Sequence, residues 1–485
     1  MDKLININLV TLSSEKYPII LNVNAILNST FLEFNQYILT ELSKTELKSK
    51  LDNSFIKYIY NNNIINRDCD NYKQIFSQLE NNTNITIILQ DLPKVYSTNN
   101  YFIVDTNNDT ILLGYSEVDD PKLSEKFNKI KYKIKNIKKF SETYSAIAIL
   151  DENGNIITCG RKEDGGDSSE VDEKLINIKQ IFNTDGAFAA INEKNEVITW
   201  GNNFYGSDST NIKLNNIEYI FSTISAFAAI NDKGDVITWG DPNYGGDSSR
   251  VILKNIKYIC ANELAFAAIN DKGNVITWGD QYNGGDSSSV QSKLKKITKI
   301  YSTIGAFAAI NEYGEVITWG HRNYGGDTNK IKSKLINIKK IYTIEKLFLA
   351  INKKNNCIIW GNSRSPLIIE SYSFDFKYIY TNDLAFCINT NNNTFFIIPE
   401  NYSNSNLFEF YNQIHAIKNV NQIINKEIYL NNNFLATLDI NNCVIIYDFN
   451  NNMIVKSIFR FVKKIYSNLG FLIIVDEIGN YYFID

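Results

Sequence analysis

The chain has 485 residues, with 49 Lys and Arg against 53 Asp and Glu and a formal net charge of −4. That balance gives no overall attraction to nucleic acid or to an anionic membrane, so neither is expected as a partner. Residues of hydrophobic type make up 44%, ample for a core, but no run of 18 uncharged apolar residues occurs and MDKLININLV lacks the basic-then-apolar pattern of a leader. A soluble, cytoplasmic or nuclear protein is expected.

Residues 1–92 contain no glycine and none of the repeat described below, so they form a unit of their own. Leu4 to Val10 alternates, Ser13-Ser14-Glu15-Lys16 is a polar turn, and Pro18 to Val23 is a second strand; this predicts an opening hairpin. Thr30-Phe31-Leu32-Glu33 has capping-box spacing, and Phe31, Phe34, Ile38 and Leu42 recur at helical spacing, predicting a helix to about Lys48. Phe55 to Tyr60 and Asn84 to Leu89 predict two more strands, with a short helical segment from Tyr72 to Leu79 between them.

That order resembles the ubiquitin-like β-grasp, as do Ile59-Tyr60-Asn61-Asn62 entering a turn, Asp70-Asn71-Tyr72 before the short helix, and Ile85-Thr86-Ile87-Ile88-Leu89 at the end. The Skp1/BTB-like fold is the runner-up, but its later helices have no counterpart. The resemblance implies a fused docking domain, with Ile59 and Ile88 matching two positions of ubiquitin's apolar patch; the third falls in the Ser13-Ser14 turn. The last strand runs into Gln90-Asp91-Leu92-Pro93 without a Gly-Gly tail, which is incompatible with conjugation. The alternative for Ile59 and Ile88 is an ordinary strand role.

From residue 93 to 485 the chain repeats. Ala226-Phe-Ala-Ala-Ile230 and Val236-Ile-Thr-Trp239 flank Asn231-Asp232-Lys233-Gly234, and near-copies recur about every 40 residues. Ten units align on the turn residue: Asn108, Gly154, Asn195, Gly234, Gly273, Gly314, Asn355, Asn393, Asn442 and Gly479. Gly and Asn accept left-handed backbone most cheaply, so a backbone requirement defines the repeat. Thirteen residues earlier an aromatic such as Phe182, Phe221, Tyr301 or Tyr342 ends an Ile-rich run, with Tyr96 and Phe140 one residue out of step and Cys260 the exception. Each unit therefore predicts three strands. The middle strand is apolar on both faces, so each sheet must lie between two others, and its alanines leave room for Trp200, Trp239, Trp278, Trp319 and Trp360 on the same or an adjoining sheet. Small twisted sheets stacked radially make a β-propeller. The fold expected is mainly β: a propeller of short three- to four-stranded blades, preceded by the small α+β ubiquitin-like domain.

The turn x-D-G-x followed by V-x-x-W-G, as in Asp232-Lys233-Gly234 and Val236 to Gly240, resembles propellers of the regulator of chromosome condensation type, most strongly over residues 140–362. The repeats here are shorter than that family's, nearer those of bacterial β-lactamase inhibitors of the same fold, and ten units exceed its usual seven. The family's Gly-His pair is replaced by Ser222-Thr223 and Ser302-Thr303.

Six residues past each Trp stands a Gly-Gly-Asp-Ser loop whose aspartates, Asp167, Asp208, Asp247, Asp286 and Asp327, form a candidate rim for a basic protein partner or a cation. The competing reading is that each Asp and Ser closes its own turn. Lysines between Lys122 and Lys139, and Lys332, Lys334, Lys339 and Lys340, are read as a solvated edge, since exposed aromatics are not interleaved with them in sequence. Cys69, Cys159, Cys260, Cys357, Cys387 and Cys443 form no C-x-x-C pair and are expected to be reduced core thiols. His321 and His415 are isolated, His321 as an exposed loop residue, and no nucleophile elbow, phosphate loop or zinc motif is present, so no enzyme activity, metal or cofactor is expected. The function expected is a monomeric interaction scaffold, its rim binding a protein and its head docking to ubiquitin or proteasome machinery. The resemblance implies one alternative, guanine-nucleotide exchange on a small GTPase.

Overall fold

The computed structural model describes residues 136–361 without a break and, outside that span, the strands and helices named below with short flanking segments. In the head, β1 (Leu4–Val10), β2 (Lys16–Asn22), α1 (Phe31–Leu42), β3 (Ser54–Tyr60), β4 (Asn63–Ile65) and β5 (Thr83–Asp91) form one sheet in the order β2-β1-β5-β3-β4 with its helix. β1 pairs antiparallel with β2 and parallel with β5, which is antiparallel to β3. Ile38 and Leu42, one helical turn apart, are buried, as are Tyr58, Ile85 and Ile87. The helix ends at Leu42 rather than Lys48, because the Ser43 and Thr45 hydroxyls donate to the carbonyls of Thr40 and Leu42 and close its last turn. The segment from Tyr72 to Leu79 lies outside the described residues.

Ten antiparallel sheets follow, eight of three strands and two of four. Each is built from one continuous stretch of chain, as in unit 4, with strands Ile217–Ser222, Ala226–Asn231 and Val236–Gly240. The first strand of each unit lies against the first strand of the next along units 1–7 and 8–10. Units 7 and 8 meet through Leu347, Leu349, Ile359 and Phe386. The series closes on itself: the first strand of unit 10 (Val462–Ser467) packs beside that of unit 1 (Lys94–Ser97), over a cluster of Leu92, Phe102, Val104, Ile473 and Val475. The ten units are therefore one ring with first strands innermost, closed by packing without any exchanged strand. Leu92, directly after β5, belongs to that closing cluster, so the head joins the ring at its seam.

The seams between units 2 and 7 repeat one packing pattern. Ala226 and Ala228 of unit 4 meet Phe266, Ala268 and Trp278 of unit 5, and Ala265 and Ala267 of unit 5 meet Phe307, Ala309 and Trp319 of unit 6. Phe and Trp are cross-strand partners in one hairpin and stack with ring centroids 5.0 to 5.3 Å apart. The Trp239 indole N–H donates to the Gly206 carbonyl of the preceding unit at 2.9 Å, and Trp200, Trp278, Trp319 and Trp360 donate likewise to Gly165, Gly245, Gly284 and Gly325 at 3.0 to 3.1 Å. At the opposite edge a backbone bond crosses the seam, Ile256 N–H to Gly234 O at 2.7 Å, with equivalents at units 3, 4, 6 and 7.

The turn residues Gly154, Asn195, Gly234, Gly273, Gly314 and Asn355 all have φ between 62° and 83°; the other four lie outside the described residues. A second left-handed position, Asn136, Asn177, Asn216, Asn255, Lys296 and Asn337, precedes the first strand in units 2 to 7. In unit 2 the register corrects the sequence alignment: Phe140 pairs with Ile149 and Ser141 with Ala148, so Ser141 occupies the place that Phe182 holds opposite Ala189. Phe140 is buried in the core instead. Among the described residues no helix is long and apolar enough to cross a membrane.

A Cβ on Gly245, at φ 101°, would stand 2.6 Å from the Phe266 ring. Gly245→Ala is expected to cost about 2 kcal/mol or more from left-handed strain and overpacking together. Trp239→Phe, which leaves the Gly206 carbonyl without its donor, is expected to cost about 1–3 kcal/mol. Urea unfolding midpoints of the full chain measure both, and unchanged midpoints would mean that the seams are not held this way.

Candidate interaction surfaces of the ring

The five aspartates resolve in favour of turn closure. Oδ1 of Asp167, Asp208, Asp247, Asp286 and Asp327 accepts the backbone N–H two residues on, from Ser169, Thr210, Ser249, Ser288 and Asn329, at 2.8 to 3.0 Å. Hydrogen bonds from their own turns hold the carboxyls of Asp167, Asp208, Asp247 and Asp286 below the ordinary range. Lys162 lies 4.0 Å from Asp167, but the aspartates stand one per loop on five separate units, and no group of three metal-ligating side chains exists among the described residues.

His321 corrects the expectation of a plainly exposed loop residue. It is half-buried, its ring lies 4.7 Å from that of Tyr324, and its Nδ1 is buried without a hydrogen-bond partner. The same place in units 3, 4 and 5 holds Asn202, Asp241 and Asp280, each accepting a backbone N–H of the following 3₁₀ turn. His321 makes no such cap. His415 lies outside the described residues.

The loops and the turns between first and second strands share one rim. There a belt of backbone bonds links successive units, from Tyr144 N–H to Asp185 O, Asp185 to Ile224, Ile224 to Glu263, and Ile304 to Glu345, at 2.6 to 2.9 Å. Loss of water around Asp185 and Glu263 raises both carboxyls although their side chains reach solvent, and the charges of Glu345 and Asp185 raise Glu263 further. Further out on this rim, Phe204 and Tyr282 project from the tips of the unit 3 and unit 5 loops, 81% and 71% exposed. Neither was singled out from sequence, though each replaces a polar residue at the same place in other units, such as Asn243 and Asn323.

The lysines divide. Lys126, on the helix Leu123–Ile130, donates to the Gly160 carbonyl, and Lys339 to Asn355 Oδ1 at 3.1 Å. Lys332 and Lys334 are exposed, whereas Lys139 and Lys340 lie on the innermost strands. In the head, Ile59 and Ile88 occupy β3 and β5, opposite Thr86 and Lys57; their side chains lie outside the described residues. Cys159, Cys260 and Cys357 are buried, and burial pushes the Cys260 and Cys357 thiols up to about 11 and about 12. The other three cysteine side chains lie outside the described residues.

A closed ring of radially stacked antiparallel sheets is a β-propeller, and that is the class this fold defines. No family model and no curated protein matches the chain. Solved structures similar to it include yeast Prp20p, in a structure titled for its binding properties to Gsp1p and histones: 11% identity, TM-score 0.32, covering 77% of this chain and 98% of that one. Kap60 bound to yeast RCC1 (Prp20) gives 15% identity and a TM-score of 0.31 over 60% and 84%, and human WBSCR16 gives 14% and 0.30 over 47% and 77%. Likeness at this level adds nothing about activity or partner.

If the aspartates serve their turns, Asp247→Asn, which keeps the Asx acceptor without its charge, should lower the thermal midpoint less than Asp247→Ala. Because the folded-state carboxyls sit below their unfolded values, their contribution is complete above about pH 4 and lost as pH falls through the lowered values. His321→Asp should restore the missing cap and stabilise by about 0.5–1 kcal/mol; a lower midpoint would show that the imidazole is itself required. Maleimide labelling at pH 8, mapped by mass spectrometry, should spare Cys159, Cys260 and Cys357 until denaturant is added.

Proposed function

We propose that the chain is a non-enzymatic interaction scaffold whose loop rim captures a protein and whose head docks to ubiquitin or proteasome machinery. One observation carries the reading of the rim: the repeated hairpin residues are buried in seams, while Phe204 and Tyr282 stand almost fully in solvent at loop tips beside a partly acidic bore mouth. Exposed aromatics of that kind are favoured as interface anchors. The reading of the head is supported by the order β2-β1-β5-β3-β4 with parallel β1 and β5, the order of a β-grasp.

Quantitative proximity labelling in cells with the full chain tests both halves. The Phe204→Ser/Tyr282→Ser double variant should lose its rim partners by about 30-fold in affinity, as for two anchor aromatics. The Ile59→Ala/Ile88→Ala double variant should lose ubiquitin-pathway neighbours alone. An identical labelling set for all three chains would sink the proposal, and accelerated nucleotide release from a purified small GTPase would replace it with the exchange reading.

A further inference from the structure

The innermost strands carry a charge pattern that the overall composition conceals. In each, the two residues after the leading apolar residue begin the wall of the bore, and two places on stands an aromatic in units 1, 3, 4, 6, 7 and 10, but Ser141 in unit 2 and Cys260 in unit 5. In the eight units whose side chains are described there, those two positions hold ten lysines and one carboxylate, Glu218, although the chain as a whole carries −4. None of Lys139, Lys257, Lys299 and Lys340 makes an ion pair; the Lys139 amine instead donates to the Ile181 carbonyl across the seam. Loss of water there lowers the Lys139 pKa.

Aromatic faces lie between these amines. Tyr219 and Tyr258 are 45% and 46% exposed, although they sit on the innermost strands of a closed ring. Tyr219 continues edge to face into Phe182 of unit 3 at 4.9 Å and into Phe221 of its own strand at 4.9 Å. The Lys139 amine lies 4.9 Å over Phe182, and that of Lys340 lies 4.2 Å over Tyr342. Lysine and aromatic therefore lie side by side at the bore, within one strand at Lys340 and Tyr342 and between neighbouring units at Lys139 and Phe182.

We infer that the bore binds single-stranded nucleic acid, with phosphates on the lysine amines and bases stacked on Tyr219, Tyr258 and their aromatic neighbours. A basic path with accessible rings is the arrangement that holds unpaired strands without reading sequence. A duplex keeps its base faces stacked inside and offers these rings nothing. A small phosphorylated solute would use the amines and leave the rings idle. The inference departs from the expectation drawn from net charge, which averages the bore with the rest of the chain.

Fluorescence anisotropy of the full chain with labelled linear 20-mers of oligo-dT and oligo-U tests the inference. Binding should weaken as salt rises, Tyr258→Ala should weaken it about tenfold, and Lys340→Glu should both weaken it and lower the log–log salt slope by about 0.7. Lys272→Glu, on a hairpin turn away from the bore, should change neither. A covalently closed single-stranded circle cannot thread the bore and should fail to compete. Absence of binding to either linear oligomer at 50 mM salt, equal competition by the circle, or Tyr258→Ala binding as tightly as the unsubstituted chain would each overturn the proposal. Should a variant fold poorly, photocrosslinking of 5-bromouridine oligomers to the unsubstituted chain decides: adducts at Tyr219, Tyr258 or Tyr301 support the bore, and adducts confined to the loop rim overturn it.

Discussion

The five seams between units 2 and 7 depend on one contact, the bond from a tryptophan indole to a glycine carbonyl of the preceding unit. The indole is the bulky half of a Phe–Trp stack that fills the space left by the neighbour's alanines, and its N–H would be a buried orphan without that carbonyl. The glycine must come close enough to accept, and it does so in a left-handed conformation with the next Phe ring where a Cβ would be. Packing, polar satisfaction and backbone geometry thus converge on one contact, which explains why Trp, Phe, Ala and Gly recur together while the loop tips between them vary.

The same contact constrains what the loops can do. In Gly245-Gly246-Asp247-Ser248-Ser249, Gly245 caps the seam, Gly246 lies against the Gly240 carbonyl, Asp247 closes the turn, and Ser248 shares a hydrogen bond with Thr238 at 2.9 Å. The two glycines, Ser248 and Oδ1 of Asp247 are thus taken up by the fold itself. Positions available to a partner are those where one unit departs from the others, as at Phe204, Tyr282 and His321, or where separate units meet, as in the bore.

Much of this was legible in sequence because each demand is local. Asn231-Asp232-Lys233-Gly234 states its turn through Asx chemistry and a residue that tolerates positive φ, and Ala226 to Ile230 states burial on both faces. The three-strand units and the pairing of alanines with tryptophan follow from those two facts. The Ser141 register was hidden because Phe140 and Phe182 are both aromatics ending an apolar run, and only strand pairing separates their places. Closure of ten units into one ring was not legible either, since it depends on the angle accumulated over every seam. The left-handed residue before each first strand was missed because Asn-Ile reads as an ordinary strand entry, and Lys296 in the same place shows that backbone context outweighs residue type. The contact of the Lys139 amine with the Phe182 ring was hidden for a related reason: the two stand in successive units, about 40 residues apart.

The outer edges of the sheets complete the logic. A third strand at the rim exposes unpaired backbone that invites another strand. In units 3 to 6 that strand places Thr199, Thr238, Thr277 or Thr318 at its middle, and the hydroxyl pairs with Ser209, Ser248, Ser287 or Thr328 of the following loop at 2.9 Å. Units 7 and 9 hold Ile359 and Ile446 there instead, and in both a fourth strand pairs with the edge, Leu367–Ile369 and Met453–Phe459. A hydroxyl recruits a loop whose serine folds back over the edge, whereas an aliphatic side chain offers that serine nothing and packs well beneath another strand. A fourth strand in units 7 and 9 thus covers the edge that a loop hydroxyl covers in units 3 to 6, and the two four-stranded units are the same repeat with its edge covered differently.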